Sequence, residues 1–417
     1  MDFLIKILIS LFAAFIVQVV QANNLDRVAV IVNDGVVLES EINQKITDIE
    51  KASALNGEKL PSKDEIRNKV IEELILEELQ LQVADQVGIK ISDEELNVTL
   101  KRLAQQSDLD LESFIKFVED QGDSYEQVRE NVKRTMKIQR VQQGRIQNKI
   151  QITREELNNF LNTEEAKSQL GPELGVKQIL VRNDSDKNID EVYQIAKQQI
   201  EAGINPTEVF QNLSEDQNGG DLGYRNITKF PGVFQDPINE LEIGEFSEVI
   251  ETGAGKHILY LDDKRGPMVT FEKQWEVRHI LLIPNRIRDE NSSEDAITEI
   301  RNRIISGESF GELARAFSDD PGSKQEGGRL EWAPEDTYAP EFEKVMTESS
   351  ENQISEPFLT QFGWHILEVT GIRVVDKTNE RMEDQAFSYL FNRKFQEELE
   401  TDLQELRAEA FVEIKES

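Results

Sequence analysis

The chain has 417 residues, a net charge of −34, three histidines and no cysteine. A chain of this length has room for two to four domains, each with a core of its own. The acidic composition disfavours binding to nucleic acid or to anionic lipid. The lack of cysteine excludes disulfide bonds, thiolate catalysis and a lipid-modified cysteine anchor.

The first predicted element is an export signal. Residues 7–20 form an apolar stretch after Lys6 and lead into Val20-Gln21-Ala22, a small-residue cleavage pattern. The stretch is shorter than the roughly 20 residues that a membrane span needs. We therefore predict that 1–22 is a secretory signal peptide, cleaved near Ala22. An uncleaved signal anchor stays open as the alternative, because Asp2 cancels the charge of Lys6.

Residues 23–170 are predicted to form a mainly helical domain. It opens with a β-hairpin, since Asn33-Asp34-Gly35 separates two apolar runs. The clearest helix covers 62–87, where apolar residues recur every three to five positions after a capping box of Ser62 and Glu65. Further helices are predicted at 108–119, at 124–148, and after the capping boxes that begin at Ser92 and Thr153.

The middle of the chain contains one segment twice. Both copies read strand, helix, loop, short helix and strand, and in both a histidine follows a Gly-Gly turn by 37 positions (257 − 220 and 365 − 328). The second copy has another histidine, His279, in its first strand, where the first copy has Gln178. The repeat indicates a domain duplication. We predict one α+β domain at 171–265 and another at 266–375.

The last predicted element is an amphipathic helix at 378–412. A helix of ~35 residues spans ~50 Å, so its apolar face must dock on another part of the chain. We predict that 376–417 packs on the N-terminal domain. The predicted fold class is therefore α+β multidomain, with a mainly helical N-terminal domain completed by a long C-terminal helix, plus two α+β domains.

The second copy resembles the parvulin class of peptidyl-prolyl isomerases. It has that class's first strand with His279, the loop Ser318-Asp319-Asp320, the turn Gly327–Trp332 and a final strand with His365. The order of segments along the whole chain is similar to that of the SurA-type periplasmic chaperones. The segments that carry this second resemblance are Val32–Ser40, Gly88–Leu96 and Asn392–Phe395.

The resemblance implies a function. The N-terminal domain and the C-terminal helix would form a client-binding module, with two parvulin-like domains between them, in the periplasm of a Gram-negative cell. The implied partners are unfolded outer-membrane β-barrel precursors, bound through extended aromatic-rich segments, and the outer-membrane assembly machinery. The predicted chaperone is ATP-independent and needs no cofactor. Three histidines, no cysteine and no His-Glu-x-x-His motif argue against a metal site. The acidic charge argues against a nucleic-acid partner, and no second apolar stretch predicts stable insertion into a membrane.

The resemblance also implies site residues in the second copy. Rotation about an X–Pro bond crosses a barrier of ~18–20 kcal/mol, and lowering it requires neither a nucleophile nor a metal. The turn departs from the class pattern, because Arg329 and Glu331 replace the usual Asp and Gly. The implied catalytic residues are His279, Asp320, His365 and Thr360, and the implied proline pocket consists of Leu330, Tyr338, Phe342 and Phe362.

Two functional readings remain open. Since the first copy lacks the first histidine, we predict that it folds but isomerises poorly or not at all. This erosion favours a chaperone in which isomerisation by the second copy is secondary. The alternative is primarily a prolyl isomerase whose helical module only delivers substrate, with or without a retained signal anchor.

Overall fold

The computed structural model describes residues 26–56, 59–120, 122 and 124–415. The predicted signal peptide at 1–22 lies outside these residues. The described residues form two compact units: one contains those up to Thr153 and those from Tyr389 onward, and the other is Arg154–Ser388. No helix of the described ranges is both long and apolar enough to cross a bilayer.

The secondary structure alternates between helical and sheet regions along the chain. The strands are β1 (Val28–Val32), β2 (Gly35–Leu38), β3 (Glu173–Arg182), β4 (Asp221–Asn226), β5 (Ile250–Thr252), β6 (Gly255–Arg265), β7 (Phe271–Leu282), β8 (Phe358–Thr360), β9 (Gly363–Asp376) and β10 (Val412–Ile414). The helices are α1 (Glu39–Asn56), α2 (Lys63–Gln86), α3 (Asp93–Gln105), α4 (Leu111–Asp120), α5 (Tyr125–Ile146), α6 (Arg154–Leu161), α7 (Glu164–Leu170), α8 (Ile189–Glu201), α9 (Pro206–Leu213), α10 (Gly232–Asn239), α11 (Glu290–Ile305), α12 (Phe310–Phe317), α13 (Pro340–Glu348) and α14 (Thr378–Glu409).

Two predicted capping boxes set the start of α2 and α3. The Ser62 hydroxyl accepts the Glu65 N–H, and the Glu65 carboxylate accepts the Ser62 N–H at 2.9 Å. Ser92 and Glu95 form the same pair of bonds ahead of α3. Each box satisfies two backbone donors that a helix start otherwise leaves free. The predicted helix starts at these two positions are therefore confirmed.

The end of the chain differs from its prediction. The helix predicted at 378–412 stops at Glu409, and the following residues form β10, which pairs antiparallel with β1. Val412 lies opposite Val32 and Ile414 opposite Val30. The free edge of β1 supplies backbone partners to the tail, and Asn33 N–H donates to the Phe411 carbonyl at 2.8 Å. A pairing partner that is almost 400 positions away leaves no local signal at the helix end.

The C-terminal helix docks on helices of the N-terminal region. Asp402 of α14 is 2% exposed and accepts two hydrogen bonds from Arg145, at 2.7 and 2.8 Å, and one from Lys149 at 3.3 Å. Arg407 of the same helix pairs with Glu72 of α2 at 3.1 Å. These ion pairs and the β1–β10 pairing join the two ends of the chain in one unit.

The structure groups one segment differently from the predicted domain boundary. Helices α6 and α7, within 154–170, belong to the unit that contains both repeats, whereas the sequence analysis assigned them to the helical domain. Asn226, the last residue of β4 in the first repeat, explains part of this grouping. Its side-chain amide donates to the Lys167 carbonyl of α7 at 2.7 Å.

Each repeat is built on an antiparallel sheet. The strand order is β4-β3-β6-β5 in the first repeat and β7-β9-β8 in the second. In the second sheet, Ile280, Leu282 and Ile366 pack with α11 and α12, while Val277 and Leu367 pack with α13. Because neighbouring residues of a strand point to opposite faces, His279 lies on the α13 side of β7.

Candidate active site

Adjacent antiparallel strands bring the two histidines of the second repeat together. His279 of β7 lies opposite Leu367 of β9, and His365 of β9 lies opposite Leu281 of β7. The two histidines are thus diagonal neighbours on one face of the sheet, within reach of each other. Both are buried, with exposed fractions of 6% and 4%.

A chain of hydrogen bonds runs through both imidazoles. Thr360 Oγ1 lies 2.9 Å from His365 Nε2, His365 Nδ1 lies 3.4 Å from His279 Nδ1, and His279 Nε2 lies 2.8 Å from Asp320 Oδ2. We call Thr360, His365, His279 and Asp320 the polar chain. The structure thus brings together all four residues that the sequence analysis named as catalytic.

One arrangement of protons satisfies the polar chain with both imidazoles neutral. A carboxylate can only accept, so His279 donates its Nε2–H to Asp320 and keeps an acceptor at Nδ1. His365 therefore donates its Nδ1–H to His279, and its Nε2 accepts the hydroxyl proton of Thr360. The Phe362 N–H donates to Thr360 Oγ1 at 3.1 Å and fixes that hydroxyl. The opposite tautomer of His365 would leave two lone pairs facing each other.

The loop after α12 holds the carboxylate of Asp320 in place. Oδ1 accepts the Gly322 N–H at 3.1 Å, and Oδ2 accepts the Ser323 N–H at 3.1 Å and the Ser323 hydroxyl. The buried Ser318 hydroxyl accepts N–H groups from Leu281 of β7, at 3.2 Å, and from Asp320, at 3.3 Å. Ser318 therefore ties the loop to the strand that carries His279, which makes it a structural brace.

Aromatic rings enclose the polar chain. Phe342 of α13 meets His279 and His365 edge-on, with ring centres 5.5 and 5.6 Å apart. Phe358 of β8 stacks on His365 at 5.4 Å. Tyr338 lies 5.0 Å from Phe342 and, with Leu330, borders the same apolar cluster. The apolar face beside the histidines has the chemistry that a proline ring requires.

One pocket residue named from the sequence lies apart from this cluster. The Phe362 side chain is 57% exposed, and the residue contributes to the polar chain through its backbone N–H. Phe358 and Ser323 contact the polar chain although the sequence analysis named neither. Phe358 sits two positions before Thr360 on a strand, a spacing that places both on one face, so a strand prediction there would have found it.

Burial determines the charge state of the polar chain. It lowers the pKa of His365 to about 3, helped by the neighbouring His279. Burial also lowers the pKa of His279, against the opposing influence of Asp320. Burial would raise the pKa of Asp320, but hydrogen bonds from Ser323, His279 and Gly322 outweigh it and lower this pKa to about 2. Two neutral imidazoles and one carboxylate therefore face the apolar pocket at neutral pH.

These pKa shifts predict a flat pH–rate profile above pH 6.5. A histidine with a lowered pKa stays neutral at every pH above its ordinary value of 6.5, so kcat/KM for an X–Pro peptide should be constant from pH 6.5 to 8. Below pH 6.5 the two histidines bind protons in the unfolded chain but stay neutral in the folded site. The free energy of unfolding should therefore decrease as the pH is lowered below 6.5. NMR titration of the histidine ring protons would check this. A ring pKa near 7 for His279 or His365 would contradict it.

The first repeat contains only part of the polar chain. His257 Nδ1 lies 3.1 Å from Gln178 Oε1, and Thr252 Oγ1 lies 2.8 Å from His257 Nε2. These contacts match those of His365 with His279 and with Thr360. Within the described ranges no hydrogen bond joins Gln178 to Asp216, the counterpart of Asp320. The chain of hydrogen bonds therefore ends at a neutral amide.

Comparisons with known proteins cover nearly the whole sequence. The SurA N-terminal domain model matches residues 25–142, and the PPIC-type PPIASE domain model matches 176–263 and 279–371. The chain is 38% identical to Chaperone SurA of Pseudomonas aeruginosa, over 94% of this chain and 96% of that protein. It is also 38% identical to Chaperone SurA of Idiomarina loihiensis, over 93% and 92% of the two chains.

The chain belongs to the SurA family of chaperones. Among solved structures it is similar to a peptidylprolyl isomerase, PrsA, from Bacillus cereus, with 16% identity over 92% of each chain and a TM-score of 0.25. Both repeats of this SurA-family protein match the PPIC-type PPIASE domain model. It is therefore a chaperone that binds client proteins and a peptidyl-prolyl cis–trans isomerase, as the sequence resemblance predicted.

Proposed function

We propose that this SurA-family protein is an ATP-independent periplasmic chaperone for unfolded outer-membrane β-barrel precursors. In this proposal the signal peptide at 1–22 is removed near Ala22. The unit built from both chain ends, predicted as 23–170 with 376–417, binds extended aromatic-rich segments and passes clients to the outer-membrane assembly machinery. The domain at 171–265 is degenerate, and isomerisation at 266–375 is secondary.

The observation that carries this proposal is an apolar cleft between α2 and α14. It has a volume of about 730 Å³, and its apolar lining includes Leu76, Leu399 and Leu403. Glu397, Glu400 and Arg407 border it. A cleft of this size with apolar walls and a charged border suits the side chains of an extended peptide. Contact through apolar surface depends little on sequence, as a chaperone for many clients requires.

The second repeat supplies the isomerase chemistry in this proposal. The proline ring would lie against Leu330, Tyr338 and Phe342, where little water can reach the planar amide. Amide resonance places negative charge on the carbonyl oxygen, and twisting the bond removes that charge. A fixed carboxylate beside the carbonyl, such as Asp320, would therefore disfavour the planar state more than the twisted one.

The histidines position Asp320 in this mechanism and do not touch the substrate. Both of their N–H groups are used inside the polar chain, so neither is free to donate to a carbonyl. In this proton arrangement His279 donates its Nε2–H to Asp320 Oδ2. This hydrogen bond fixes one carboxylate oxygen, and the carboxylate keeps its negative charge. His279, His365 and Thr360 would thus fix the charge and the orientation of one group.

Two substitutions should separate chaperoning from isomerisation. Leu403→Glu places a charge in the cleft and should weaken client binding about tenfold, because losing the burial of one leucine costs ~1.5 kcal/mol. Asp320→Ala should instead lower isomerisation and leave client binding intact. The measurements are suppression of aggregation of a urea-diluted outer-membrane β-barrel precursor and the rate of X–Pro isomerisation.

The control is Val98→Glu in α3, which adds the same charge at a position that is 51% exposed in the same unit and outside the cleft lining. It should protect the client like the unchanged chain. Loss of protection with Asp320→Ala, and full protection with Leu403→Glu, would favour the alternative of a primary isomerase whose helical unit only delivers substrate.

A further inference from the structure

A second cavity lies beside the proline pocket of the second repeat. Its volume is about 630 Å³, and it shares Leu330 with the pocket. Leu330 is held by its N–H, which donates to the Val277 carbonyl of β7 at 2.8 Å. A peptide segment whose proline contacts Leu330 has this cavity within reach of its neighbouring side chains. The other lining residues are Glu276, Glu326, Arg329, Glu331, Trp332 and Arg373.

Both guanidinium groups of the cavity already have partners. Arg329 donates to the Glu276 carboxylate through Nε at 3.0 Å and through a second nitrogen. Glu276 also accepts the Thr370 hydroxyl at 3.0 Å, so this pair is anchored to β9. Arg373 donates to Gln274 at 2.9 and 2.7 Å and stacks on the Trp332 ring at 4.4 Å. These contacts use two of the five N–H donors of each guanidinium group, and the Glu276 carboxylate balances the charge of Arg329.

Glu331 is in the opposite situation. Its side chain is exposed, and it has no ion-pair partner among the residues that the structure describes. Its charge reaches the proline pocket, because two effects raise the pKa of the pocket residue Tyr338: burial first, and then the negative charge of Glu331. Glu326 likewise has no ion-pair partner within the described ranges.

The charges near the proline pocket are therefore unbalanced. Three carboxylates and two guanidinium groups line the cavity. Asp320 is also ionised, its hydrogen-bond partner His279 is neutral, and no Lys or Arg pairs with it among the described residues. A cationic side chain beside the proline would gain from both carboxylates, whereas an anionic one would be repelled.

We propose that Glu331 is a specificity residue that makes the second repeat prefer prolines next to Lys or Arg. Like that of Glu326, its carboxylate has no ion-pair partner among the described residues, and Glu331 directly follows the pocket residue Leu330 in the chain. The ionised Asp320 of the same repeat adds to the negative charge of the site. This inference rests on the proposed isomerase role of the second repeat. It concerns the isomerase site alone and is independent of the aromatic segments proposed for the cleft.

The preference can be measured with two series of short peptides on the full mature chain. In the series Ala-X-Pro-Phe and Ala-Ala-Pro-X, X is Lys, Leu or Glu, and NMR exchange spectroscopy gives kcat/KM for each peptide. We expect kcat/KM for the Lys peptide to be about ten times that for the Glu peptide in at least one series. This ratio combines a modest attraction of Lys with a modest repulsion of Glu, because the charges are partly solvated. The ratio should shrink in 0.5 M salt, which screens such charges.

Variants of Glu331 connect the preference to this residue. Glu331→Gln should bring the Lys-to-Glu ratio below about threefold, and Glu331→Lys should bring it below one, because the attraction becomes a repulsion. The control is Glu294→Gln, which removes the same charge from α11, on the other face of the sheet. It should keep the tenfold ratio.

The outcomes separate this inference from the function on which it rests. Turnover of all peptides within twofold of one another in both series, or a ratio that survives in Glu331→Gln and Glu331→Lys, would overturn the preference and leave the isomerase role standing. No turnover with any peptide would contradict the isomerase role of the second repeat and this inference together.

Discussion

Asp320→Ala should lower kcat/KM for isomerisation of an X–Pro peptide about a hundredfold, the usual loss when one positioned electrostatic group is removed from a site. The substitution removes the acceptor for the His279 N–H and for the Ser323 hydroxyl. It also removes the charge that we place beside the substrate carbonyl. Exchange spectroscopy with the full mature chain would measure the effect directly.

The chain contains a matched control for this substitution. Asp216 occupies the same place in the first repeat, after Ser214, and both serine hydroxyls accept equivalent backbone N–H groups. Asp216→Ala should leave the isomerisation rate unchanged, because the polar chain of the first repeat ends at Gln178. Equal losses in the two variants would contradict the assignment of activity to the second repeat, and no loss in either would remove Asp320 from the mechanism.

Asp402→Ala should destabilise the unit that joins the two chain ends by about 2 kcal/mol. Breaking a buried ion pair typically costs 3–5 kcal/mol. The loss is smaller here because the side chains of Arg145 and Lys149 are 36% and 44% exposed, so water partly replaces their partner. The measurement is hydrogen exchange of the α14 amides together with the urea transition of this unit.

The stabilisation by Asp402 should also depend on pH. Burial would raise the pKa of Asp402, but Arg145 and Lys149 together lower it. A carboxyl group with a lowered folded-state pKa stabilises fully above its unfolded value of about 3.9. That contribution is lost as the pH falls through the folded-state pKa. The difference in the free energy of unfolding between the unchanged chain and the Asp402→Ala variant should therefore disappear in strong acid.

The control for this prediction is Glu397→Ala, which removes an exposed carboxylate from the same helix. Its effect on stability should stay within about 0.5 kcal/mol, as is usual for a surface position. The same α14 hydrogen exchange and the same urea transition in Asp402→Ala and Glu397→Ala would contradict the prediction. In that case the ion pairs of Asp402 would not be what holds α14 to α5.

The two repeats show how one substitution changes the chemistry of a conserved frame. Gln178 accepts a hydrogen bond from His257 much as His279 accepts one from His365, so the strand register and the tautomer of the second histidine are the same in both. Among the described residues, however, the Gln178 amide makes no hydrogen bond to Asp216, so the first repeat lacks the link to a carboxylate that His279 supplies in the second. Folding of the first repeat is thus compatible with loss of its isomerase chemistry.

The sequence by itself determined the features that local patterns encode. The capping boxes at Ser62 and Ser92 fixed where two helices begin, because the four residues of a box make all of its contacts. The spacing of the Gly-Gly turn and the histidines identified the duplication, and the replacement of one histidine by Gln178 distinguished the two copies. These signals depend on residues that lie near one another in the chain or on direct identity between repeats.

Only the tertiary structure decided which distant residues meet. Because β10 pairs with β1, α14 ends three residues before the predicted end at 412. The contact of Asn226 with α7 helps to group 154–170 with the repeats. In the site, the tertiary structure showed that Phe358 and Ser323 contact the polar chain and that Phe362 contributes its backbone N–H. It also showed that Arg329 pairs with Glu276, whereas Glu331 has no ion-pair partner in the part of the chain that the structure describes. Such contacts join residues that fold together across tens or hundreds of positions, so no local pattern specifies them.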